Sequence, residues 1–190
     1  MYLNKFFTEI IEESRDWCRG KIWYVRLPLL IWFAYLLLKY WSNPMYYGLL
    51  GGVNLGIHEF GHLLFSFFGT FLSILGGTLI QLLIPIALMI NFYRQPDFFA
   101  LALCFGWLSS NLFDVARYVN DARAMELPLV SVMGNENPIH DWNYLLSRLG
   151  LLQFDTFLSF LLKIIATFSM FICLGFGAWL LWQMKTTKNV

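Results

Sequence analysis

Four apolar runs, at residues 45–68, 71–93, 98–119 and 156–183, are each longer than 20 residues, and a shorter one covers 27–41. A bilayer core of about 30 Å takes about 20 residues of helix to cross. Lipid offers no partner to an unpaired backbone N–H or C=O, so a run of this kind crosses as a helix. Four runs are long enough; the first reaches across if the stems of Arg26 and Lys39 snorkel. The sequence predicts an all-α integral membrane protein of about five transmembrane helices. Composition agrees, at 58% hydrophobic and 13% charged residues, against about 25% charged in soluble domains.

Residues 1–26 are the most water-compatible stretch. Phe6, Phe7, Ile10, Ile11, Trp17 and Cys18 fall largely on one helical stripe, with acidic and basic residues elsewhere. That pattern predicts an amphipathic helix at the membrane surface. It lacks the compact apolar core and small-residue cleavage site of a secretory signal. Residues 120–155 form the one sizeable polar region and carry a second amphipathic run, 142–152. No linker divides the chain, so 1–190 reads as one membrane-embedded domain: an N-terminal helix, core spans over 27–119, a loop over 120–155 and a last span over 156–183. With five spans, the loop falls on the same side as the N-terminus. Lys5, Arg15, Arg19, Lys21 and Arg26, joined by Arg123 and Arg148, then make that side cytosolic, placing the chain as a multi-pass protein of a cytoplasmic membrane. A net charge of +1 excludes nucleic-acid binding through a strong basic field. Cys18, Cys104 and Cys173 are too scattered for a disulfide framework or a Cys-type zinc site.

The chemistry is concentrated in His58-Glu59-Phe60-Gly61-His62. Residues four apart share a helix face, so both imidazoles can reach one ion. Zinc takes nitrogen ligands, and its catalytic sites typically use three protein ligands with one position open. Glu59, beside the first histidine, is placed to take a proton from the attacking water, the logic of HExxH zinc hydrolases. Two of the three histidines of the chain are used here. An ionisable residue in an apolar run costs at least about 2.5–3.5 kcal/mol and marks a functional interior.

An HExxH within a membrane helix of a small multi-span protein resembles the site-2-protease-like family of intramembrane zinc metalloproteases, and Gly61 suits that family's usual HExGH form. The resemblance implies a Zn2+ cofactor, cleavage of membrane-protein or peptide substrates, and Glu59 as catalytic base. It also implies a glycine-containing, partly irregular or re-entrant element after the zinc helix, for which 69–81 with Gly76-Gly77 is the counterpart. The third ligand it implies is an aspartate on a later helix. The family's Asn-Pro-Asp-Gly and Leu-Asp-Gly strings do not occur, and the nearest match is Asn111-Leu112-Phe113-Asp114.

Depth along the helices also favours Asp114 as third ligand. It lies roughly 24 Å into a helix starting at Phe98, and His58 and His62 lie about 20 and 26 Å into one starting at Met45. The alternatives are His140, Asp141 and Asp121, if the loop closes the site. Asp114 can instead pair with Arg117, and Asp141 suits a helix N-cap. Asn111 and Gln81 are candidates for substrate binding or for helix–helix hydrogen bonds. Two other functions use the same residues: a non-proteolytic scaffold or chaperone retaining the metal site, and a metal or proton transporter. The transporter is disfavoured because no repeated halves are visible.

Overall fold

The computed structural model describes residues 2–43, 45–129 and 139–187, and among them all regular structure is helical. Helix α1 covers Tyr2–Cys18, α2 Leu27–Ser42, α3 Leu49–Phe65, α4 Thr70–Arg94, α5 Phe98–Asn120, α6 Asp141–Leu149 and α7 Asp155–Thr187, with short 3-10 turns at Ser66–Phe68 and Leu152–Phe154. Among the described residues, three helices are long and apolar enough to cross a membrane: α4, α5, and α7 with the turn before it. Residues 130–138 of the predicted loop lie outside the described residues.

Helix α5 is the centre of the molecule. It lies antiparallel to α7, pinned by hydroxyls that donate across the interface: Ser169 Oγ to the Phe105 carbonyl and Ser159 Oγ to that of Ala116, both 2.7 Å. Small and polar residues let helix backbones approach in this way in lipid, where apolar burial drives little association. At one end of the pair, Trp17 packs edge-on against Phe98, and Cys18 lies against the Leu180 carbonyl, so α1 caps this end. At the other end, Leu146 of α6 joins Val115, Val119 and Ala122, with Leu158 packed on them. Arg123 binds Asp155 there at 2.7 Å.

This arrangement corrects the five-span expectation, which puts the N-terminus and the 120–155 region on one side. Helices α1 and α6 lie at opposite ends of the bundle. The cause is the segment between residues 27 and 65. Arg26 sits over Phe99, Tyr40 hydrogen-bonds Ser110 at 2.6 Å and stacks on Phe113, and so α2 runs alongside α5 in the same direction. Helix α3 then continues that way instead of turning back: Asn54 meets Asp114, and the ring of His58 faces that of Tyr118. Two short helices in series occupy the length of one.

The expected irregular element at 69–81 is also absent. Helix α4 is continuous through Gly76-Gly77 and Pro85, and only Gly69, just before it, has a left-handed backbone, at φ +87°. The paired glycines serve close packing. A Cβ on Gly61 would overlap the carbonyl of Gly76, and a Cβ on Gly76 would lie 2.7 Å from the carbonyl oxygen of Gly61. Glycine at these crossing points lets α3 and α4 touch backbone to backbone.

Candidate metal centre

His58 and His62 lie on the face of α3 that meets α4, and both rings are held from behind. His58 Nδ1 is 3.0 Å from Gln81 Oε1, and His62 Nδ1 is 2.9 Å from the carbonyl oxygen of Ser73. Both acceptors lack a proton to give, so each Nδ1 carries a hydrogen and each Nε2 faces the site. Ligating histidines are commonly oriented by such outer partners. Ser73 Oγ also donates to the His62 carbonyl at 3.1 Å, closing the hairpin around the ring. Gly77 gives the rings their space: a Cβ there would lie 2.7 Å from His62 Cε1 and 2.8 Å from His58 Nε2.

Both Nε2 atoms point at one carboxylate oxygen. Asp141 Oδ2 is 2.8 Å from His58 Nε2 and 3.2 Å from His62 Nε2. Burial pushes the Asp141 carboxyl upward, but the hydrogen bonds and charge of the two histidines outweigh it and hold the group below the usual carboxylate range. Glu59 stands beside them, half-buried, and the ligand atoms of His58, Glu59 and His62 all lie within 4.8 Å of one another. Two imidazole nitrogens and a carboxylate oxygen are the donor types zinc takes in catalytic sites. The residues present therefore fit a metal ion.

Asp141 reaches this place because His140 does the capping. His140 Nδ1 accepts from the backbone N–H of Asn143 at 3.2 Å, and its Nε2 faces Asp121 Oδ2 at 3.1 Å. Asp121 also accepts from the backbone N–H groups of Glu126 and Leu127, both at 3.0 Å. The predicted N-cap role of Asp141 thus falls to His140. Asp141 is the first residue of α6, with its N–H donating to Tyr118 Oη and its carboxylate turned to the histidines. His140 and Asp121, the other loop alternatives, are engaged with each other.

Asp114, the favoured third ligand, sits elsewhere. Its Oδ2 accepts from Asn54 Nδ2 at 2.7 Å, and Asn54 Oδ1 in turn accepts from Trp107 Nε1 at 2.9 Å. Arg117, its expected partner, stacks over the Tyr47 ring at 5.1 Å. Helices α3 and α5 are in step, 54 with 114 and 58 with 118, so His58 lies one turn beyond Asp114 and His62 two turns. That is about 6 and 12 Å along the axis. The equal depth expected of Asp114 and the histidines does not occur, because α3 starts partway along the bundle, where α2 ends. Gln81 is a support for His58, not a free substrate-binding group. Asn111 is fully buried and donates to the Trp107 carbonyl within its own helix.

The centre lines a cavity of about 800 Å³. It extends from Met45 and Tyr47 at the α2–α3 break, past Asn54 and Asp114, to Leu127, Pro128 and Ile139. Sequence reasoning missed Ser73 and Gly77 as supports of the site; the close glycines Gly61, Gly76 and Gly77 were the available signal for a tight α3–α4 hairpin. No protein-family model, curated protein or solved structure matches the chain. The His58, Glu59 and His62 group, composed to hold a metal ion, is the feature on which a functional reading rests.

Proposed function

We propose that the chain is an intramembrane zinc-dependent endopeptidase, similar in chemistry to site-2-protease-like enzymes, that hydrolyses peptide bonds of membrane-protein substrates. The observation that carries this reading is the convergence of His58 Nε2 and His62 Nε2 on Asp141 Oδ2, with Glu59 beside them, on one wall of a cavity. The bundle crosses the membrane four times in this reading: α2 and α3 in series make one crossing, and α4, α5 and α7 make the others.

His58, His62 and Asp141 hold the ion, with Asp141 as third ligand in place of Asp114. Zinc bound there supplies Lewis acidity, which polarises a scissile carbonyl and makes water a better nucleophile. Glu59 takes the proton from the attacking water and returns it to the leaving nitrogen as the C–N bond breaks. Gln81 and the Ser73 carbonyl keep the rings from rotating out of line, so donor geometry is set before substrate arrives. The cavity beside these groups gives water and a peptide segment room to reach them, and a substrate helix unwinds locally to expose a carbonyl.

The test is Glu59→Gln, purified beside the wild type and co-expressed with single-span substrates. A proton-transfer residue predicts zinc content near wild type with cleavage abolished. Loss of zinc would make Glu59 a ligand, and unchanged cleavage would remove it from the reaction. Stoichiometric zinc with no cleavage by the wild type on any substrate would favour the scaffold reading.

A further inference from the structure

The Lys/Arg residues are divided very unequally between the two ends of the α5–α7 pair. The end capped by α1 carries Arg15, Arg19, Lys21, Arg26, Arg94 and Lys185. Three of these stand over its tryptophans: Lys21 and Arg26 over Trp17 at 4.5 and 5.9 Å, and Lys185 over Trp23 at 5.7 Å. Basic side chains stacked on tryptophan at a bundle end suit interfacial anchors, and Lys/Arg are the residues retained on the cytosolic side; the same end carries Glu12, Glu13, Asp16 and Asp97, with Arg19 paired to Asp16 at 2.9 Å. The opposite end carries three, Arg117 in the last turn of α5, Arg123 and Arg148; Arg117 stands over the Tyr47 ring, and Arg123 is paired with Asp155. Orientation follows the Lys/Arg excess in short segments near the membrane, and Asp and Glu count little.

The metal centre belongs to the sparsely charged end. His58 faces Tyr118, two residues before α5 ends at Asn120, and Asp141 opens α6 beyond it. We infer that the α1 end rests on the cytosolic leaflet and that the metal-site cavity faces the extracytosolic side, taking peptide bonds from the outward ends of membrane-spanning segments. The substrate half of this inference rests on the peptidase reading; the orientation rests on charge and on the bundle alone. It reverses the side assigned to the 120–155 region from sequence, because four crossings separate what five would join.

Single cysteines report the orientation without turnover. Cys18, Cys104 and Cys173 are buried, so the wild type serves as the unlabelled control. Glu13→Cys on α1 and Ser147→Cys on α6 are at exposed positions, and Gln95→Cys and Leu149→Cys provide a second reporter at each end. Intact cells expressing the full chain are treated with a membrane-impermeant maleimide, then compared with permeabilised cells. The expected result is at least tenfold stronger labelling of the 147 and 149 variants than of the 13 and 95 variants in intact cells, with all four labelled after permeabilisation. Labelling of positions 13 and 95 with protection of 147 and 149 would overturn the orientation, and equal labelling at both ends would overturn the four-crossing bundle. With the orientation established, cleavage mapped to the cytosolic end of a substrate span would overturn the substrate half. A chain that labels as expected yet binds no zinc would lose the peptidase reading and keep its orientation.

Discussion

Asp141 Oδ2 lies 2.8 Å from His58 Nε2, although 83 positions separate the two residues. Helix α6, at the end of the bundle, thus brings a carboxylate to histidines carried on α3, while Asp114, within α5, accepts from Asn54. The pair of substitutions Asp141→Ala and Asp114→Ala separates these roles. The first is expected to reduce bound zinc to background and abolish cleavage. The second keeps zinc and costs about 1–3 kcal/mol of stability, because buried Asn54 loses its acceptor. Metal analysis and thermal unfolding of both variants check this, and loss of zinc in Asp114→Ala alone would reinstate it as the ligand.

Gln81 Oε1 holds His58 Nδ1 at 3.0 Å, and through that ring it would act on an ion bound at the proposed centre. Gln81→Leu leaves the ring free to turn and leaves its N–H without an acceptor. Outer-partner substitutions typically cost about 10–100-fold in metal affinity or activity. Competition with a zinc chelator of known affinity should show a loss in that range, and Gln81→Glu, which keeps an acceptor, should recover most of it.

His140 positions Asp141 from the neighbouring residue. His140→Ala removes the cap on α6, worth about 1 kcal/mol, together with the contact to Asp121. Zinc affinity should fall, and His140→Asn, which restores an N-cap acceptor, should recover the larger part. Affinity unchanged in His140→Ala would mean that packing of Leu145 and Leu146 alone fixes the start of α6.

Gly77 is the tightest steric test of the site. Gly77→Ala puts a methyl against both imidazoles, and overpacking of this kind costs about 1–3 kcal/mol. Gly52→Ala is the control, since a Cβ there meets nothing within 4 Å. Lower zinc occupancy and a lower Tm in the first but not the second are expected.

The helices and the HExxH were legible because both are local: apolar length marks the one, and four-residue spacing the other. The break between α2 and α3 was legible too, at Ser42-Asn43-Pro44. Its direction was not. A breaker shows that a helix stops, but whether the chain then reverses or continues depends on what receives the next helix, here Ser110 and Phe113 for Tyr40 and Asp114 for Asn54. That one ambiguity shifted the depth of His58 relative to Asp114 by about 10 Å, nearly two turns, and pointed to Asp114. It also hid Asp141, whose loop seemed too far from histidines assumed to sit mid-membrane. The glycines at 76 and 77 misled for a related reason: in sequence they signal irregular backbone, and in the fold they admit a neighbouring helix.

In the proposed function the chain holds a metal ion between His58, His62 and Asp141. Zinc per chain, measured on purified wild-type protein and on His58→Ala after expression with zinc and removal of loosely bound metal, tests it most directly. Close to one zinc per wild-type chain and near none in His58→Ala are expected. Wild-type protein that is folded and free of zinc, or a His58→Ala variant that retains it in full, would contradict it.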